Sequence, residues 1–172
     1  MSTPKIGIIM GSASDIAIVE KGVSVLDDLA VPYETAVASA HRTPEDAANY
    51  AKNAKKRGIE VIIAVAGLSA ALPGVIAAAT SLPVLGVPIK GGALDGLDAL
   101  LSIAQMPPGV PVGSMGLNGA KNACLLAARI VAIHDEQLHV RMTEWTKSEA
   151  AKVISSRAKL ENINPAPEEA YN

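Results

Sequence analysis

Two hydrophobic periods alternate along this chain. Apolar runs mark strands at 5–10, 61–66 and 84–87, and further strands are predicted over 32–38 and 110–115. Between them apolar residues recur at helical spacing. Ile16, Val19, Val23, Leu26 and Leu29 predict a helix over 15–29, with Ser14 or Asp15 placed to cap it. A second helix is predicted over 44–57: Thr43 is a candidate cap, Pro44 suits the first turn and Gly58 ends it. Further helices follow over 70–80, 94–105 and 119–133, and a longer, more polar one over 136–159. Residues 162–172, with their Pro and Glu, read as a mobile tail.

Strand and helix alternate, so the strands should lie parallel with helices on both faces. The predicted fold is an α/β three-layer αβα sandwich, flavodoxin-like or Rossmann-like, with an added C-terminal helix. Residues 1–161 form one domain, as expected for a chain of 172 residues. In such folds ligands sit beyond the carboxyl ends of the strands. The segments 11–15, 39–44, 67–74 and 90–96 each follow a strand and should share one rim. Helix 119–133 is apolar nearly all round, with Lys121, Asn122 and Arg129 as its main polar points. A monomer's surface helix should have a clearer polar face, so burial by other subunits is expected there and at the Ala-rich helix 70–80.

Composition narrows the partners. Apolar residues make up 49% of the chain but aromatics only 2%, with no Phe. The core must be built from Ala, Val, Ile and Leu, and few rings remain to stack on bases. Net charge is −2, and the one basic run, Lys55-Lys56-Arg57, falls late in a helix where it complements the dipole. Nucleic acid is therefore not an expected partner. The single cysteine, Cys124, lies in an apolar helix pattern, which suits a buried thiol in a reducing cytoplasm. The chain enters its first strand at once, so no signal segment is expected. Residues 61–89 carry no charge and are long enough to suggest a membrane span. Gly67, Pro73, Gly74, Pro83, Gly86 and Pro88 interrupt them, and strand, loop, helix, strand is the better reading.

The chemistry concentrates at two strand-to-helix junctions. The first reads Gly11-Ser12-Ala13-Ser14-Asp15. Gly11 permits a tight turn, the helix N-terminus offers free N–H groups, and Ser12 and Ser14 can bond phosphate oxygens. Asp15 is wrong for phosphate and right for sugar hydroxyls. Ordinary turn and cap chemistry explains the same segment equally well. It is neither GxGxxG nor a Walker A loop, which weakens dinucleotide and ATP readings. The second junction reads Ser39-Ala40-His41-Arg42-Thr43-Pro44. It sets an imidazole, which titrates near neutrality, beside a guanidinium suited to bidentate phosphate contact. An ion pair of Arg42 with Glu45 or Asp46 is the plainer alternative. His134 and His139 read as surface residues. No cluster has metal-ligand spacing, so no metal is expected. Segment 67–74 is small and apolar enough to admit a planar ligand, or is simply a tight turn packed between subunits. Lys90-Gly91-Gly92 is a rim or a loop.

These motifs carry a resemblance. MGSASD at 10–15, SAHRTP at 39–44, AGLSAALPG at 66–74, LGVP at 85–88, SIAQMPPGVPV at 102–112, and KNA at 121–123 followed by LLAA at 125–128 occur in register. Across 6–133 the chain resembles the type I N5-carboxyaminoimidazole ribonucleotide mutases of bacterial purine (IMP) synthesis, within the AIR carboxylase family. The resemblance implies a cofactor-free transfer of a carboxyl group from the exocyclic nitrogen to the ring carbon of an aminoimidazole ribotide. It assigns His41 as general acid/base, Ser12, Ser14 and Arg42 to the phosphate, and Asp15 to the ribose. Gly11 shapes the phosphate turn, and Ser39, Ala40, Gly67 and Leu72 frame the ring and the carboxylate. It further implies a homo-octamer with sites built from several subunits; a cytoplasmic location, no membrane or nucleic-acid partner, and transient contact with the synthetase that forms the carbamate complete the expectation.

One departure stands out: many type I members carry His where this chain has Ala71. The animal-type enzyme, which carboxylates aminoimidazole ribotide directly with CO2, typically has Lys where this chain has Arg42. Direct carboxylation is the near alternative. A non-catalytic flavodoxin-like binding module is the distant one, although a phosphoreceiver would need an acidic cluster and a flavin module would need aromatic rings.

Overall fold

The computed structural model describes residues 3–171. Five strands form one parallel sheet: β1 (Ile6–Met10), β2 (Tyr33–Val37), β3 (Val61–Gly67), β4 (Val84–Ile89) and β5 (Gly113–Ser114). Their spatial order is β2-β1-β3-β4-β5. Ile6 stands between Tyr33 on one side and Val61 on the other, which sets the register of the central three strands. The order reverses between β1 and β3, where a flavodoxin-like sheet opens its ligand crevice. The expected parallel αβα architecture is therefore the observed one.

Strand alternation sorts the core into two layers. Ile6, Ile8, Met10, Val61, Ile63 and Val65 face one side. They pack against α1 (Ile16–Asp28), α5 (Ala120–Val131) and the start of α6 (Glu136–Ser156). Ile9, Ile62, Ala64 and Ala66 face the other side, under α2 (Pro44–Ala54), α3 (Leu72–Ala79) and α4 (Leu97–Ala104). Small side chains let these layers approach closely. At Gly22 in α1, a Cβ would come within 2.9 Å of the Ala120 carbonyl carbon in α5.

Burial of α5 has a simpler cause than coverage by other subunits. Ala123, Cys124, Ala127 and Ala128 are enclosed by α1, α6 and the sheet of the same chain, while Lys121, Asn122 and Arg129 are exposed. A helix sandwiched within its own chain needs no further partner to explain its composition. The unsatisfied apolar surface lies elsewhere. Leu94 in the turn before α4, and Leu97 and Leu101 on α4, are exposed by 60%, 52% and 49%.

Element ends shift for local reasons. The helix expected from residue 94 starts at Leu97, because Gly92, Asp95 and Gly96 all take positive φ. The helix expected from 70 starts at Leu72, because Leu68 and Ala70 are left-handed. The strand expected over 110–115 shrinks to Gly113–Ser114 behind a turn closed by the Val110 N–H on the Pro107 carbonyl. The strand expected over 84–87 runs on to Ile89 through Pro88. β5 pairs only with Leu85 and Gly86, so beside Pro88 there is no ladder to lose; its carbonyl, on that same flank, takes the Asn118 N–H. Gly58 does stop the second helix, at φ 94°, after a 3-10 turn over Lys55–Arg57. Asp135 caps α6 through the Leu138 N–H at 2.9 Å. The helix ends in a 3-10 turn over Arg157–Leu160 rather than continuing as α to 159. Among the described residues no helix is long and apolar enough to cross a membrane.

Candidate functional site

A cleft of about 590 Å³ opens at the carboxyl ends of β1 to β4. Its walls are the loops that follow those strands. Gly11, Ser12, Ser14 and Asp15 come from the first, Ser39, Ala40, His41 and Arg42 from the second, and Gly67 and Leu72 from the third. The ten site residues expected from sequence thus lie around one cavity. His134 and His139 are exposed and lie outside it.

The second loop is an internally bonded turn. The Ser39 hydroxyl oxygen accepts the His41 N–H at 3.4 Å and the Arg42 N–H at 3.2 Å. The Ser39 N–H donates to the Thr43 hydroxyl oxygen at 2.9 Å. Thr43 therefore does not cap α2 with its side chain as expected; it closes the turn that presents His41. The Arg42 guanidinium donates to the Gly11 carbonyl at 3.2 Å, which tethers the second loop to the first. Neither Glu45 nor Asp46 takes up that guanidinium, so the plain surface pair is not formed.

The first loop starts as a 3-10 turn over Ala13–Asp15, whose cap is Ser12: its hydroxyl oxygen accepts the Ser14 N–H at 3.3 Å. Asp15 is the N-cap of α1 in position only and makes no side-chain cap bond. Its carboxylate instead accepts the Ser14 hydroxyl at 3.1 Å. At 8% exposure, Asp15 is the buried charged side chain among the described residues. Burial raises its carboxyl above the ordinary 3.8, outweighing the Ser14 hydroxyl and the Ser12 backbone. A buried carboxylate bonded to one hydroxyl retains acceptor capacity for further donors.

The third loop holds two non-glycine residues at positive φ, Leu68 at 55° and Ala70 at 38°. Strained backbone of this kind clusters at functional sites. It keeps Leu68 to Leu72 against the cleft instead of starting the helix early. Ala71 lines the cavity, so the place of a second imidazole holds a methyl group. Ile89, Lys90 and Gly91, after β4, complete the wall. Lys90, rim or loop by its sequence, follows β4 directly and lines the cleft. No lining residue is aromatic, so a flavin ring would find no stacking partner there. Cys124 is remote in the core, its thiol pushed up to about 12 by burial.

Fold and cleft together define a doubly wound α/β protein with its site at the topological switch point. The chain belongs to the AIR carboxylase family, whose sequence model matches residues 5–152. It is 51% identical over 160 residues to an N5-carboxyaminoimidazole ribonucleotide mutase of Pyrococcus horikoshii, covering 93% of this chain and 90% of that one. It is 47% identical over 163 residues to a phosphoribosylaminoimidazole carboxylase of Saccharomyces cerevisiae, covering 95% of this chain but 28% of that longer one. The crystal structure of Treponema denticola PurE superposes with a TM-score of 0.82 at 31% identity, covering 92% of this chain and 99% of that one.

Proposed function

We propose that the protein is a mutase of purine biosynthesis, converting N5-carboxyaminoimidazole ribonucleotide to 4-carboxy-5-aminoimidazole ribonucleotide. The observation that carries this reading is one cleft uniting His41, Arg42, Ser12 and Ser14 in a chain half identical to a protein named for that reaction. Ser12, Ser14 and Arg42 hold the phosphate, and Asp15 accepts ribose hydroxyls. Gly11 keeps the turn tight and its carbonyl steadies Arg42. Ser39, Ala40, Gly67 and Leu72 frame the ring and carboxylate.

His41 runs the proton cycle. Its imidazolium gives a proton to the carbamate nitrogen as the N–C bond breaks, leaving aminoimidazole ribotide and CO2. The ring carbon attacks the trapped CO2, and the new C–C bond leaves that carbon carrying both hydrogen and carboxylate. Neutral His41 removes this hydrogen as a proton, restoring aromaticity and its own starting state. A group that gives and takes one proton works best with a pKa near the operating pH, which imidazole offers. The cycle consumes no cofactor and needs no metal ion. The mainly apolar wall along 67–72 suits a site that holds CO2 beside the ring, and that confinement is a proximity effect.

The same reading makes the protein a cytoplasmic homo-octamer that contacts the carbamate-forming synthetase transiently. The exposed Leu94, Leu97 and Leu101 suit burial between copies. Direct carboxylation by CO2 is the second reading, favoured by Ala71 in the cleft and by the yeast relative's name. Turnover of the carbamate ribotide, beside aminoimidazole ribotide plus bicarbonate without ATP or added metal, separates the two. Preferential use of the carbamate is expected; preference for the free ribotide makes the protein a carboxylase, and activity on neither makes it a binding module.

A further inference from the structure

Four ionisable side chains line the cleft, Asp15, His41, Arg42 and Lys90, and the roles above use three of them. We propose that Lys90 is the carboxylate-binding residue of the cleft, its ammonium neutralising the group that migrates from nitrogen to carbon. The proposal rests on the mutase reading of the site.

Charge and topology support it. The substrate carries two anionic groups, phosphate and carboxylate, and the cleft holds two permanent cations, Arg42 and Lys90. Arg42 leans onto Gly11 behind β1, whereas Lys90 follows β4. In the order β2-β1-β3-β4 these places are two strand spacings apart, roughly 10 Å. Gly67 and Leu72, assigned above to the ring and carboxylate, follow β3, which lies next to β4 in the sheet. Leu68 lies there against the loop that follows Lys90: a Cβ on Gly92 would meet its Cδ2 at 2.7 Å. Lys90 therefore stands beside the 67–72 wall assigned to the ring.

The side chain is held so that exchange costs little. Its backbone N–H is fixed by the Asn118 carboxamide oxygen at 2.9 Å. Its ammonium pairs with Asp95 at 3.1 Å, with the two side chains 55% and 73% exposed. Exposed pairs contribute little, so a ligand carboxylate that displaces Asp95 gives up little. Because CO2 is neutral, the ammonium favours the two carboxylated states over the intermediate and promotes recapture. Lys90 then sets specificity for carboxylated ribotides.

Calorimetric binding of two nucleotides tests this: 5-aminoimidazole ribonucleotide and its 4-carboxy derivative, with wild type, Lys90→Ala, Lys90→Gln and Arg42→Ala. Both Lys90 variants should weaken the carboxylated nucleotide roughly tenfold or more and leave the other within about twofold. Arg42→Ala should weaken both. Equal loss for both nucleotides in the Lys90 variants would place Lys90 on the phosphate and overturn the proposal, as would no loss for either. Wild type that binds neither nucleotide would sink the functional reading itself, and the assignment with it. Unchanged circular dichroism in Lys90→Gln separates lost contact from lost fold.

Discussion

His41 and Asp15 show opposite ways of preparing a side chain. His41 is oriented through its backbone, by Ser39, leaving its ring to face the cleft. His41→Asn should keep ligand affinity within a few-fold while kcat falls by roughly 10²–10⁴, the usual worth of a positioned acid/base; normal kcat would remove it from the mechanism. Asp15 is held as a buried carboxyl raised above 3.8. The folded protein thus keeps a proton there at pH values where the unfolded chain has lost it. Its contribution to stability falls as pH rises through that window and is least favourable at neutrality. Asp15→Asn should raise the Tm of the ligand-free protein at pH 7, with the gain fading towards pH 3, and should weaken ribotide binding. A lower Tm at pH 7 would show the carboxylate already satisfied. Residue types and their place after strands were legible in the sequence because loop position follows from strand position. Partners were not: Ser39 and Thr43 bond each other, and Arg42 bonds a carbonyl 31 residues away. Only the folded chain brings those atoms together.

At the scale of elements, continuous apolar runs identified the central strands because both of their faces are covered. Boundaries failed where backbone conformation overrode pattern. Leu68, Ala70 and Asp95 adopt left-handed φ without being glycine; Asp tolerates that region better than most residues, but nothing in the side chains of Leu68 and Ala70 announces it. Apolarity of α5 was legible, its cause was not: coverage by α6 depends on the C-terminal helix folding back onto the sheet layer, which periodicity does not encode. The close α1–α5 contact makes a test. Gly22→Ala should gain about 0.8–1 kcal/mol of helix propensity. It should lose about 1–3 kcal/mol to overpacking against Ala120. A net fall in Tm of a few degrees is expected; a rise would mean that the helices separate easily.

For the whole molecule, the sheet order gathers four loops at the switch point and leaves the exposed leucines at α4 outside. Light scattering should give a mass near eight times the 17.6 kDa chain, and a monomer would contradict the burial proposed for Leu94, Leu97 and Leu101. The cleft and the assembly matter to function through one event, retention of CO2 between release and recapture. The most direct measurement follows that carbon. Carbamate ribotide labelled with ¹³C at its carboxyl carbon is converted in excess unlabelled bicarbonate, and the product carboxylate is read by NMR or mass spectrometry. Retained label is the predicted result, since CO2 never leaves the cleft; product carrying unlabelled carbon from the medium would contradict the mutase account.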